Sequence, residues 1–544
     1  MQTTEKELRR RYRQFDAECA RVENRVQANR EYEPFLFVPT PKAKQEVLDT
    51  LANLMDRARE LPTPDPVFAL LRDHFQEFIK GQVSTLESSY DDPYAFIVNL
   101  SRFIDFNTRK DSRFAEERSV ILRRRLRQAD AVWEAIHSTL PSIKAGNVER
   151  LANACDQLAG YAMSTQNHVA NDYAGLPEDE LAQLSQAFHD IAEKASGWAE
   201  AARAVQGVQS DDSSRPSVER YREILAEERG VDLDEIVEWH EDEVNKTRRE
   251  MLEIAASLDL GNEPNPTDVQ GVVEVLNKYA GPADTAEEMF ARCTDYLARA
   301  REGTKGYVNL PDEICRVVPM EEYGRAQNPW GGYRGGDPRR HPLLGLMVLN
   351  PDNVEAITDG WIKINAVHEA YPGHHVQFVR AASDPLPETV KLGARATPLI
   401  EGTCVRTERV FEFVFPEDQF YPLMVAYRRH HTSVRIKVDL YLFYYQRPIE
   451  DAVQLYMDEL GFSRRSARGQ VLAQELWPGY FTCYYYGLKR VLELQEAFGY
   501  DDKSFTEILF SVGRISLKSF EGFLNLSQAD QKRYLTHFGS LLEY

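Results

Sequence analysis

Cysteine is scarce and scattered. The 544-residue chain holds six (Cys19, Cys155, Cys293, Cys315, Cys404, Cys483) with no CxxC pair. That excludes a disulfide framework and a thiolate zinc ribbon, and it points to a reduced compartment. Long apolar runs are also missing: no stretch reaches about 18 apolar residues, so no spanning helix is expected. The first residues run straight into a charged helical pattern with no apolar leader core, and the protein is expected to be cytoplasmic, with no membrane partner. Positive charge is in deficit, 65 Lys and Arg against 86 Asp and Glu, a formal net charge of −21. Neutralising phosphates needs clustered cations, so nucleic acid is not an expected partner. The short basic runs at 123–125 and 339–340 read as a solvated helix face and a loop. The glycine-rich stretch 328–338 has no GK[ST] and no helix opening directly after it, so it is no phosphate loop. It reads as a cleft-edge loop or a plain surface connection.

What is present suits a large folded body. Hydrophobic residues make up 43% of the chain, and it holds 26 Tyr and 26 Phe, enough for a sizeable interior or a lined cleft. Apolar residues recur at helical spacing in Val47, Leu48, Leu51, Leu54 and Met55, and again in Leu151, Ala152, Cys155 and Leu158. Strand-like runs are confined to 307–318 and 343–349. The expected fold is mainly α: a large helical body with a small β-sheet flanking a metal-bearing helix, and a deep cleft. The expected organisation is an N-terminal helical region over 1–208, a polar linker over 209–216 closed by Pro216, and a metal-site region over 217–544, with Ser217 as the first N-cap.

The chemistry concentrates at His368-Glu369-Ala370-Tyr371-Pro372-Gly373-His374-His375. A catalytic zinc needs three protein ligands, an open position for water and a base beside that water. The helical solution HExxH places two imidazoles one turn apart on one face. Here the position of the second histidine holds Pro372, and the next histidines are 374 and 375. On an unbroken helix His374 would point about 120° away from His368, and His375 would sit about 10.5 Å along the axis. Pro372 removes a helical hydrogen bond and clashes with the turn before it, so a bulge or kink is expected, and Gly373 tolerates the backbone that results. By contrast His240-Glu241 has no partner histidine and reads as part of an exposed acidic helix. For the third ligand Glu401 leads; Glu408, two turns further on the same face, could bind metal or orient a histidine.

The block from His368 to Gln377, with Glu401-Gly402 and Glu408 downstream, resembles the bacterial domain-of-unknown-function family 885, whose members carry HExxPGHH and then an EGWAxYxE-like segment. Residues 435–439 are similar to that family's R-x-V-V-D segment, and 478–487 to its PGQAxSYxxG segment. The likeness covers roughly 217–500. Departures are Thr403, Arg406, Tyr480 and Phe443, where the family pattern has Trp, Tyr, Gln and His. Family 885 is itself similar to helical zinc peptidases with HExxH or HExxGH, and the latter spacing favours His374 as the second ligand.

These readings combine into one expected mechanism. His368, His374 and Glu401 hold zinc, although iron or manganese could occupy the same donors. Glu369 is the general base and then the acid toward the leaving amine. Tyr484 or His375 hydrogen-bonds the developing oxyanion. Arg435 and Arg406 pair with a substrate carboxylate, or else serve structural pairs. The expected activity is zinc-dependent hydrolysis of an amide or peptide bond in a small peptide-like substrate. A metal-dependent lyase or small-molecule amide hydrolase of a biosynthetic pathway is the alternative, and a non-catalytic binding protein with a vestigial site is the second.

Overall fold

The structure is a computed structural model that describes residues 5–27, 36–108, 113–205, 207, 215–321, 325, 328 and 330–537. It is mainly helical with a single three-stranded sheet among the described residues. The chain divides into two compact units: Met1–Leu61, Ile79–Ser214 and Glu321–Gln327 form one, and Pro62–Phe78, Arg215–Met320 and Asn328–Tyr544 form the other. Residues 209–214 of the expected linker lie outside the described residues.

In the first unit, helices α1 (Ala145–Asp172) and α2 (Glu178–Arg203) are joined by a short turn. Their apolar residues fall at helical spacing, Leu151, Cys155 and Leu158 on α1 and Leu184, Phe188 and Ile191 on α2, and all are buried. Trp198 of α2 stacks on Trp133 at 5.4 Å. Glu178, Asp179 and Glu180 crowd the first turn of α2, where negative charge meets the positive end of the helix dipole.

The second unit carries the sheet and the motif. Ser217 caps its first helix, accepting a bond from the Arg220 amide at 3.2 Å. That helix ends at Gly230, whose positive φ of 70° suits glycine, and α3 (Leu233–Ala256) follows. His240 lies on α3 but is buried, not exposed: its Nδ1 is 2.9 Å from the Val237 carbonyl oxygen. Helix α4 (Ala286–Thr304) leads into strand β1 (Glu313–Pro319). Strand β2 (Gly331–Gly335) and strand β3 (Leu343–Leu349) complete the sheet in the order β1-β3-β2. β1 runs parallel to β3 and β2 antiparallel to it. β3 is the centre of the sheet, and its seven residues are all buried. A continuous Leu/Val/Met run with no polar alternation is what a strand covered on both faces requires.

The turn-rich stretch 328–338 was expected to be a loop and instead supplies β2. Gly331 lies so close to β3 that a Cβ there would stand 2.0 Å from the Val348 carbonyl oxygen. Only glycine admits that pairing, and composition alone reads such glycines as turn.

Candidate metal centre

Helix α5 (Asp359–Asn365) is capped by Thr358, whose hydroxyl accepts from the Trp361 amide at 3.2 Å. It continues into one wide, π-type turn, Ala366–Ala370, which holds His368 and Glu369. That wide turn is the expected bulge; the helix then stops, and helix α6 (His374–Ser383) starts anew with His374 as its first residue. Gly373 makes the reversal fit: a Cβ on it would lie 1.9 Å from the His368 carbonyl oxygen and 2.3 Å from that of Val367. The close approach folds His374 back beside His368, and their rings stand edge to face at 5.0 Å between centroids.

Helix α7 (Thr397–Val410) brings up the carboxylates. Glu401 Oε2 is 3.6 Å from His368 Nε2 and 3.4 Å from His374 Nε2. One ligand atom from each of the three residues lies within 4.8 Å of the others. Two donors about 2.1 Å from one tetrahedral cation stand roughly 3.4 Å apart, so the spacing fits a shared metal ion. Glu401 Oε2 is buried and has no hydrogen-bond partner, as expected of an atom whose partner is a cation. Its Oε1 accepts the Tyr480 hydroxyl at 2.9 Å.

The far nitrogen of each imidazole is held. Glu408 Oε1 is 2.8 Å from His368 Nδ1, and the carboxylate accepts the Nδ1 proton, leaving the Nε2 lone pair for a metal. Gln377 Oε1 is 2.9 Å from His374 Nδ1, with the Gln377 amide fixed in turn by the Ile400 carbonyl. Burial alone would lower the His368 pKa, but Glu401 and Glu408 outweigh it and raise it. At His374 burial is likewise outweighed, by Cys404 and Glu401, and its pKa is well above the ordinary value. Burial would raise the Glu401 carboxyl, yet the two imidazoles hold it well below the usual carboxylate range. The point between these groups therefore favours positive charge, which protons or a divalent cation can supply.

Glu369 is half-buried and takes part in no hydrogen bond or ion pair among the described residues. Its charge acts on the Cys404 thiol, which lies 3.5 Å from His374 Nδ1. His375 turns the other way: its Nε2 is 2.7 Å from Glu313 Oε2 and its Nδ1 is 3.1 Å from the Tyr333 hydroxyl. Gly345 of β3 leaves the room, since a Cβ there would fall 2.3 Å from His375 Nδ1. Glu313 also accepts from Tyr371 at 2.5 Å and from Arg301 at 2.8 Å. With both nitrogens engaged, His375 has none free for an oxyanion.

Helix α8 (Tyr421–Asp439) and helix α9 (Thr482–Phe498) close the site. α7 and α9 cross at two glycines, and a Cβ on Gly402 would lie 2.2 Å from the Gly487 backbone. That contact sets the Tyr484 ring parallel to His368 at 6.2 Å, its hydroxyl 3.1 Å from that of Tyr480. Burial raises the Tyr484 pKa, so the hydroxyl keeps its proton. Arg435 lies 5.0 Å over the Tyr484 ring. Arg406 is elsewhere: its guanidinium is spent on Gln495 at 2.8 Å, Thr506 at 2.9 Å and Asp502 at 2.8 Å. Asp439 meets neither arginine, accepting instead from Tyr221, Gln474 and the Gly479 amide.

Sequence reasoning missed Tyr480, Gln377, Glu313 and Tyr333. Gln377 and Tyr480 stand inside the quoted motifs; Glu313 and Tyr333 come from distant strands and left no local signal.

Among the described residues no helix is long and apolar enough to cross a membrane. The family described as "Bacterial protein of unknown function (DUF885)" matches residues 36–522. Among curated proteins nothing matches. The solved structures that share the fold include two that cover most of this chain. One, described as a "putative lipoprotein" from Colwellia psychrerythraea, has a TM-score of 0.78 at 14% identity, covering 96% of this chain and 99% of that one. The other, a "putative lipoprotein of unknown function" from Shewanella oneidensis, has a TM-score of 0.71 at 16% identity, covering 94% and 98%.

Proposed function

The chain belongs to the bacterial family of unknown function DUF885, and within it we propose that this protein is a metal-dependent hydrolase cleaving an amide or peptide bond of a small peptide-like substrate. One observation carries the reading. The buried, unpartnered Glu401 Oε2 faces the Nε2 atoms of both His368 and His374, and Glu369, next to His368 in the same wide turn, is in no hydrogen bond or ion pair among the described residues. His368, His374 and Glu401 would hold the ion, zinc by its preference for two imidazoles and a carboxylate, with iron or manganese as alternatives. When bound, the metal supplies a Lewis acid and lowers the pKa of water.

The chain's own residues do the rest. Glu408 and Gln377 fix both imidazoles with Nε2 toward the centre. Glu369 accepts the proton of the attacking water and passes it to the leaving nitrogen. Tyr484 donates its hydroxyl to the oxygen that gains charge as the carbonyl is attacked. The six cysteines, all unpaired, support a reducing location, the cytoplasm. A second reading, a lyase or small-molecule amide hydrolase, is favoured by Tyr480, which occupies Glu401 Oε1 where the family pattern has Gln.

Elemental analysis of protein purified without added metal tests the site: about one zinc per chain is expected, and His368→Ala should lose it. A full equivalent of metal in that variant refutes the assignment. A panel of acyl-dipeptides then separates peptide hydrolysis from the second reading.

A further inference from the structure

α8 presents Arg428, His431 and Arg435 at positions i, i+3 and i+7, one face of the helix. The cations are close enough for each to act on the other and on His431. Arg435 is 7% exposed, and its Nε and Nη1 are buried with no hydrogen-bond partner. Arg428 Nε and His431 Nε2 are likewise buried and unsatisfied. Among the described residues Arg428 has one acidic neighbour within 4.0 Å, Glu408, whose Oε1 lies 3.7 Å away and is the oxygen that meets His368 Nδ1. Among the same residues Arg435 has none. It rests against the rings of Phe481 and Tyr484, 5.0 Å from each, which hold a cation but accept none of its in-plane protons.

A buried guanidinium without an anion is unfavourable unless a partner arrives. The two other arginines of this unit buried about as deeply as Arg435 are paired: Arg380 with Asp384 and Glu507, and Arg406 with Asp502. We propose that Arg435 and Arg428 are the receptor for a free carboxylate of the substrate, with His431 lining it. This rests on the hydrolase reading and names its substrate class: peptides or amides ending in a carboxylate close to the bond cut. The layers His368, Tyr484 and Arg435 are spaced 6.2 Å and 5.0 Å apart. An extended chain advances about 3.3–3.6 Å per residue, so the carboxylate lies no more than about three residues from the metal-facing edge. The planar fork of guanidinium suits a carboxylate in two-point contact.

Benzoate and its uncharged isostere benzamide, titrated into the purified full chain and followed by ligand-observed NMR, test the receptor. Benzoate should bind at least tenfold more tightly than benzamide to wild type and to His368→Ala. Arg435→Met should erase the preference; if that variant does not fold, Arg428→Met is read in the same way. Preference retained in the arginine variant, or lost in His368→Ala, overturns the proposal, the latter because the anion would then sit at the metal site. Inorganic phosphate binding more tightly than benzoate overturns the carboxylate assignment. Benzoate preference without zinc refutes the hydrolase alone; zinc and turnover without the preference refute the receptor alone.

Discussion

Gly373→Ala is the most direct test of how the two histidines are brought together. The added methyl would stand 1.9 Å from the His368 carbonyl oxygen and 2.3 Å from that of Val367. Ordinary non-bonded contacts sit near roughly 3.5 Å, so relief requires a movement of more than about 1 Å. The obstructing atoms are backbone and cannot rotate aside, so either the wide turn carrying His368 or the start of α6 must shift. Metal sites hold their ligand distances within about 0.2 Å, and disturbing the groups that orient ligands costs about 10- to 100-fold in affinity. Gly373→Ala changes no ligand, yet zinc affinity should fall by at least the upper end of that range. Competition with a chromophoric chelator measures it, and circular dichroism checks that the helices persist. Gly197→Ala is the control, because a Cβ there meets nothing within 4 Å. An unchanged zinc affinity in folded Gly373→Ala would show that this backbone contact does not set the ligand geometry.

Three further outcomes are expected. Glu369→Gln should keep its zinc while turnover of a cleaved peptide falls about 10²–10⁴-fold; loss of metal in elemental analysis would make Glu369 a ligand instead. Pro372→Ala should weaken zinc binding in the same chelator assay, but less than Gly373→Ala, because the reversal at 373 survives it; equal affinity with wild type would show that packing alone ends the helix. Asp439 is raised by burial to about 7 despite its bonds to Gln474, Gly479 and Tyr221. The folded state then holds a proton that the unfolded state has released between roughly pH 4 and 7, so this group's contribution to stability is full below pH 4 and is lost as pH rises through 7. Urea midpoints at pH 5 and 8 should differ less in Asp439→Asn than in wild type, and an equal difference refutes the shift.

The motif was legible because its residues are neighbours in sequence. His368, His374 and Glu401 were named from spacing and resemblance, and the structure brings those three together. The form of the break was not legible: proline predicts a disturbed helix, whereas the observed stop and restart depends on Gly373 meeting a carbonyl one turn back. β2 was hidden for a related reason, since glycine in 331–335 signals turn locally but here permits a backbone to lie against β3. Buried Glu313 on a distant strand could not be tied to His375 by any local pattern.

The departures from the family pattern make sense by what they touch. Tyr480 stands in place of Gln and donates its hydroxyl to Glu401, so the residue here fixes the Glu401 carboxylate. Phe443, in place of His, lays its ring 5.1 Å from that of Tyr221, whose hydroxyl bonds Asp439. Arg406, in place of Tyr, is drawn away to Asp502. Of these three side chains only Tyr480 touches the His368, His374 and Glu401 triad, through Glu401 Oε1, and the glycines that set α7 against α9 are kept. Shifting Arg406 into a structural pair leaves Arg435 and Arg428 as the cations beside Tyr484. On the proposed reading, selectivity rests on α8 and metal binding on the wide turn of His368 together with α6 and α7, so substitutions on the two should separate affinity for metal from preference for an anionic substrate.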